Sequence, residues 1–252
     1  ADKKPTSGPK APHLLDQLLR TFSDYPLINA SRVADGDKPV CFERAILGTS
    51  ANSFPHMALL HQMMRNIVGY APPPPLPPRP RALFISRNHK SVIRGRKIAN
   101  EADVVAKVNA TLLELTGDPL QYVQMETLKY KEQVALAMRT NIMISPHGGG
   151  VANCIWMAKG SVMVEFVAPV GKTLLNMYHS MCGKSGVKHI SFLADPDPAD
   201  ANAQLSNPRL FSNMVVPPAK IAEYVGKAVE HFNAARAKQK KSPKAAADDS
   251  AG

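Results

Sequence analysis

Between two apolar runs lies Pro146-His147-Gly148-Gly149-Gly150, and a second polar group, "SRNHKSVIRGRKIANE" at residues 86–101, follows an earlier apolar run. Consecutive glycines cost backbone entropy on folding, so a chain that keeps three together needs a tight turn there or a close approach of its backbone. Glycines that open a helix expose N–H groups, and these attract a phosphate through their donors and the helix dipole. His147, Gly148, Gly149 and Gly150 therefore read as a diphosphate cradle, with a strand-to-helix turn capped by the histidine as the alternative. Arg87 directly follows a strand-like run, so it projects from a strand's carboxyl end, the same sheet edge as His147. Its rigid fork of donors suits phosphate oxygens and its charge does not titrate away. Arg94 and Arg96 fall in the loop or first turn before "KIANE", where a solvated basic loop or a pair with Glu101 is the competing reading.

Other glycine chemistries fail on spacing. "GKT" occurs at residues 171–173, but Phe166 stands where a Walker loop needs its first glycine. An oxyanion hole of the esterase type also uses His-Gly-Gly-Gly, yet neither "GTSAN" nor "GKSGV" forms the required nucleophile elbow. "GGGVAN" lacks the last glycine of a dinucleotide fingerprint and lies late in its domain.

The elements that must carry these residues alternate. After the proline-rich stretch "APPPPLPPRPR", "ALFIS" reads as a buried strand, "NEADVVAKVNATLLEL" as a helix, "LQYVQME" as a strand and "KYKEQVALAMRT" as a helix. "NIMISP" is a strand, "VANCIWMA" a short helix, "SVMVEFV" a strand, "GKTLLNMYHSMCGKSG" a helix and "KHISFLA" a strand. "DPDPADANAQLSNP" reads as a polar loop and "PPAKIAEYVGKAVEHFNAARAK" as a last helix begun by prolines. Such alternation predicts a parallel sheet with helices on both faces, a Rossmann-like α/β domain. Upstream, "HLLDQLLRTF" and "PHMALLHQMMRNIVGY" carry helical apolar spacing and "PVCFERAILG" reads as a strand. The proline-rich stretch is an extended spacer that needs no partner, although it could bind an SH3-like module.

The 252 residues, 44% hydrophobic, suffice for one sizeable core. The net charge of +11 sits largely in "ADKKPTSGPK" and "ARAKQKKSPK", as expected of solvated tails. The basic segment at 86–101 lacks the interleaved aromatics or recognition helix of a nucleic-acid module, so no nucleic-acid partner is expected. Cys41, Cys154 and Cys182 show no metal-ligand spacing, and at most one intramolecular disulfide can join them. No metal site is expected. No apolar run approaches the roughly 20 residues of a membrane span, and the start is not a signal peptide. Asn29 and Asn109 head sequons that would accept glycans in a secretory protein.

"PVCFERAILG", "ISRNHKSVIRGRKIANE" and "METLKYKEQVALAMRTNIMISPHGGGVANCIWMAKGSVMVEFVAP" resemble, in order, the signature of glycosyltransferase family 61. The resemblance runs from about Pro39 to Pro169. It implies a transferase of the GT-B type, built from two Rossmann-like domains, of which this chain is the C-terminal, donor-binding half. The expected organisation is a disordered start at 1–13, a remnant of the N-terminal domain with a connecting helix at 14–70 and a proline-rich linker at 71–81. A nucleotide-sugar-binding domain at 82–236 and a disordered basic tail at 237–252 follow.

Carried over residue by residue, the resemblance puts Arg87, Arg94, Arg96 and Asn100 at the donor. Gly148, Gly149, Gly150, Val151 and Asn153 form the loop that faces it, and Glu165 matches an acidic position after the loop, able to bind a ribose hydroxyl or to form a buried pair. His147 and Glu126 are the candidate catalytic residues, and Glu132 matches a further acidic position. Gly149 stands for the family's alanine, Val151 for leucine and Lys159 for proline. The implied reaction is inverting transfer from a nucleoside diphosphate sugar, most simply a UDP-sugar of pentosyl or N-acetylglucosaminyl type, to a glycan or glycoprotein acceptor. No cofactor or metal is required, the compartment is the endoplasmic reticulum or Golgi lumen, and any membrane attachment depends on an anchor this chain lacks. The alternative is a catalytically inactive nucleotide- or glycan-binding domain.

Overall fold

A computed structural model describes residues 76–88, 97–168, 175, 177–200 and 213–241. The elements expected upstream of residue 76, together with Arg94 and Arg96, lie outside the described residues.

Three strands are buried along their whole length: β1 (Ala82–Ser86), β3 (Ile142–Pro146) and β4 (Val162–Val167). Their near-continuous apolar runs suit a sheet covered on both faces. With β2 (Gln121–Gln124) and β5 (Lys188–Leu193) at the edges they form one parallel sheet of order β2-β1-β3-β4-β5. This is the α/β Rossmann-like arrangement expected from the alternation of elements.

Alternation along each strand sorts the side chains onto two faces. Phe84, Ile144, Val164, Phe166 and Phe192 turn to one core, closed by α1 (Glu101–Thr116) and by the last helix. Helix α1 buries Val104, Val108 and Leu112 at helical spacing and stops at Gly117, whose φ of 76° suits only glycine well. A 3₁₀ turn, η1 (Met125–Thr127), follows β2; on the opposite face, α2 (Tyr130–Arg139) packs on the 3₁₀ segment η2 (Gly149–Trp156), which packs on α3 (His179–Lys184).

The last helix, α4 (Pro218–Lys241), buries Ile221, Val225, Ala228, Val229 and Phe232. It runs past the expected boundary at residue 237, because alanine and lysine are strong helix formers and the basic run there does not end the helix. Leu76, in the proline-rich stretch, is buried, and its backbone N–H donates to Gln239 of α4 (3.2 Å), so this end of the spacer is docked on the domain.

A small antiparallel pair, β6 (Asp195–Pro196) with β7 (Met214–Val215), replaces part of the expected polar loop. Two residues per strand are too few to show a periodicity. Met214 also bridges Ile98, and the Asn100 amide clasps both the N–H and the C=O of Val216 (3.0 and 2.9 Å), which anchors the start of α1. Among the described residues no helix is long and apolar enough to cross a membrane.

Phe232 has no solvent exposure and fills the core between α4 and the sheet. Phe232→Ala is expected to cost about 3–5 kcal/mol, read as a lower denaturant midpoint with unchanged slope.

Candidate functional site

The strand order reverses between β1 and β3: the chain leaves β1 for β2 on one side and returns to β3 on the other. Loops at such a switch point diverge and open a crevice beyond the carboxyl ends of the strands. Arg87 leaves β1 there, and His147 leaves β3. The pairing of Phe84 with Ile144 sets both at the same sheet edge. They meet through Gly148, where an added Cβ would overlap the Arg87 guanidinium.

The three glycines are not equivalent. Gly148 holds φ 154° and ψ −172°, a conformation essentially confined to glycine, against the arginine. At Gly150 a Cβ would press on Ile85 Cγ2 at 3.2 Å, so the start of η2 sits tightly on β1. At Gly149 nothing lies within 4 Å of an added Cβ. The family's alanine fits there without adjustment; the backbone demands glycine at Gly148, while at Gly150 a side chain would have to displace the Ile85 methyl by a few tenths of an ångström. Since η2 begins at Gly149, its first N–H groups have no partner within the helix.

His147 donates its backbone N–H to Phe166 (2.8 Å), which continues the β3–β4 ladder one residue past the strand. Its side chain therefore falls on the same face as Ser145 and, across the register, Glu165. The Glu165 carboxylate meets Nδ1 of His147 at 2.5 Å and Nε2 of His189, on β5, at 2.7 Å. Glu165 is wholly buried and the two histidines nearly so. Its register neighbours are Ser145 and Ser191, small enough to leave room for both imidazoles to reach in diagonally. An ionised carboxylate only accepts, so each histidine offers it an N–H, and neutral His147 then keeps its lone pair on Nε2.

Tyr178 lies 5.4 Å, ring to ring, from His147 and immediately precedes α3. A disulfide joins Cys154 of η2 to Cys182 of α3, with Cα atoms 5.7 Å apart. It ties the segment that follows the glycines to the helix that follows Tyr178.

The remaining expected residues divide between loop support and distance. Asn153 donates to the Gly150 carbonyl (3.2 Å) and Val151 is fully buried, so both hold the loop from behind. Asn100, expected at the donor, spends its amide on Val216. Glu165, placed at a ribose hydroxyl as one option, takes the other: its carboxylate is sealed between histidines. Glu126 is exposed in the 3₁₀ turn after β2, two strands from β3, so roughly 10 Å across the sheet at usual strand spacing. Glu132 accepts the Lys129 N–H (2.7 Å) as the cap of α2. Behind Arg87, Glu101 accepts from Ser86 (2.8 Å) and Tyr122 (2.7 Å). Partial burial raises the Tyr122 phenol pKa, and the Glu101 carboxylate that accepts its proton adds to the rise.

A family model described as Glycosyltransferase 61 matches residues 12–164, more than half of the chain. The chain belongs to glycosyltransferase family 61. No curated protein matches it. The family match ends just before Glu165 and well before His189, so the carboxylate and the second histidine lie outside it. His189 escapes a motif-based reading of the sequence. The signal was a histidine two residues from a serine in "KHISFLA", facing the same side as the acid in "SVMVEFV".

Among the glycines, Gly149→Ala is expected to leave stability unchanged or raise it by about 0.4–1 kcal/mol. Gly148→Ala is expected to cost more than about 2 kcal/mol through strain and the displaced arginine. Chemical denaturation of the two variants beside the wild type checks the contrast.

Proposed function

We propose that this chain is the donor-binding region of an inverting glycosyltransferase, moving a sugar from a nucleoside diphosphate sugar to a hydroxyl of a glycan or glycoprotein. The observation that carries the reading is the Arg87 guanidinium lying against Gly148 at the switch point of the sheet. A diphosphate held there would meet a permanent cation and the opening N–H groups of η2, which suits a leaving group whose charge grows in the transition state. No metal is needed for that stabilisation. The acceptor oxygen bonds to the anomeric carbon as the bond from that carbon to the diphosphate oxygen breaks. The electron pair leaves with the diphosphate, and the hydroxyl proton passes to Nε2 of His147. The carboxylate at Nδ1 supports His147 in this role, as in other acid-oriented imidazole bases. Glu126 is the less favoured base, for its distance across the sheet.

Uridine diphosphate sugars of pentosyl or N-acetylglucosaminyl type are the donors to try first. The endoplasmic reticulum or Golgi lumen is the compartment we assign, because the Cys154–Cys182 disulfide suits an oxidising environment.

Calorimetric titration of the chain with UDP, GDP, CMP and ATP tests the donor site. One nucleoside diphosphate, UDP first, is expected to bind, and Arg87→Ala to weaken it roughly tenfold to a hundredfold. Equal affinity in wild type and variant would sink the assignment. With a panel of UDP-sugars, His147→Ala is expected to lower turnover, read as transfer to water, by about 10²–10⁴ with UDP binding kept. Binding with no turnover in the wild type would assign instead an inactive nucleotide-binding domain.

A further inference from the structure

Two histidines share one buried acid, and only one of them stands beside the glycine loop. We propose that His189 is a positioning residue for His147, acting through Glu165, so that the three side chains form a single buried relay. The inference rests on the role given above to His147 and extends it to a residue beyond the matched family region.

Glu165 has no solvent exposure, and a buried carboxylate is tolerated only when its oxygens are met by donors. Oε1 receives Nδ1 of His147 and Oε2 receives Nε2 of His189. With one oxygen for each ring, His189 fixes the carboxylate's rotation about its terminal bond, and the carboxylate in turn fixes the plane and the protonated nitrogen of His147. Removing the His189 donor would leave Oε2 without this partner, and the carboxylate would be free to turn toward His147 with either oxygen. The precision of the imidazole would be lost while the fold remained. His189 is held by its own surroundings: it lies within β5, paired in register with Met163, its side chain is nearly inaccessible, and His179 of α3 stands edge-on to it at 5.9 Å.

The titratable and charged groups around the relay come from several elements. Glu165 belongs to β4, His189 to β5, Tyr178 and His179 to α3 and the residue before it, and Arg87 follows β1. Among these, Glu165 is the carboxylate in contact with either relay histidine. The link is therefore one of hydrogen bonding within the sheet and not of general surface charge.

The experiment uses the full chain labelled with ¹⁵N-histidine, with the His147 signals assigned by their loss in His147→Gln. In the wild type, His147 is expected to carry a slowly exchanging proton on Nδ1. In His189→Leu, which removes the donor at similar volume, that proton is expected to exchange at least tenfold faster. Turnover of a UDP-sugar should fall at least tenfold with UDP affinity within twofold of wild type. His189→Gln, whose amide can still donate to Oε2, is expected to recover most of both losses. An unprotonated Nδ1 in wild-type His147, or a His147 spectrum unchanged in His189→Leu, would overturn the proposal. If His189→Leu fails to melt cooperatively, the wild-type spectrum and His189→Gln decide: a Gln variant as impaired as an unfolded one would count against a hydrogen-bonding role. If UDP does not bind the wild type, the donor assignment fails on its own, and the Nδ1 proton still decides whether the relay exists.

Discussion

A carboxylate with no access to water in the middle of a parallel sheet must be matched by donors, and the arrangement of this domain follows from that demand. Glu165 sits on β4, and the donors that satisfy it arrive from the strands on either side. This couples the register of three strands to one side chain. A slip of one residue in β4 would turn Glu165 to the opposite face, among Phe84, Ile144 and Phe192 of the other strands, where an unpaired charge would cost far more than the sheet could return. The polar demand thus does for β3, β4 and β5 what apolar burial does for the rest of the sheet, and it holds His147 at the carboxyl end of β3, beside the glycine loop, as a by-product of satisfying the acid.

Much of this domain was legible in the residues themselves. Runs such as "ALFIS" and "SVMVEFV" are too apolar to face water on either side, and helices with buried positions three and four apart separate them, so a parallel sheet with two covered faces follows. The juxtaposition of Arg87 with the glycine loop was legible too, since both follow strands at one edge. What stayed hidden depended on tertiary pairing. The strand order, and with it the switch point, is not encoded in any local pattern. His189 gains its partner only once β5 lies beside β4, and β6 with β7 is too short to leave a signature. Asn100 read as a ligand because its neighbours resemble a binding motif, but its amide matches a backbone N–H and C=O pair brought in from more than a hundred residues away.

The departures from the family pattern have local explanations. Gly149 occupies open space, so alanine and glycine are both accommodated there. Lys159 precedes Gly160, whose φ of 91° and the bond from Ser161 N–H to Ala158 C=O (3.0 Å) define a tight turn. Proline is favoured at the position Lys159 occupies because its ring presets the backbone angle, but the turn's essential requirement is the glycine that follows, and that is present. The acidic position matched at Glu132 also resolves into mechanics: Glu132 caps α2, and its neighbour Gln133 donates to the carbonyls of Met125 and Leu128 (3.0 and 3.1 Å), which fastens the turn after β2 to that helix.

The link between Cys154 and Cys182 closes a covalent ring that contains β4 and therefore Glu165. Among Cys41, Cys154 and Cys182 three single pairings can be drawn, and only Cys154 with Cys182 closes this ring. Oxidative refolding is consequently a competition in which two of three outcomes misplace the ring around the acid, and exchange through the thiolate is the route back. The yield of correctly closed protein is then governed by the thiol chemistry of its preparation, and since every single pairing leaves one sulfhydryl, it is the identity of the cysteine left reactive, not the number, that reports whether the ring has closed around the acid.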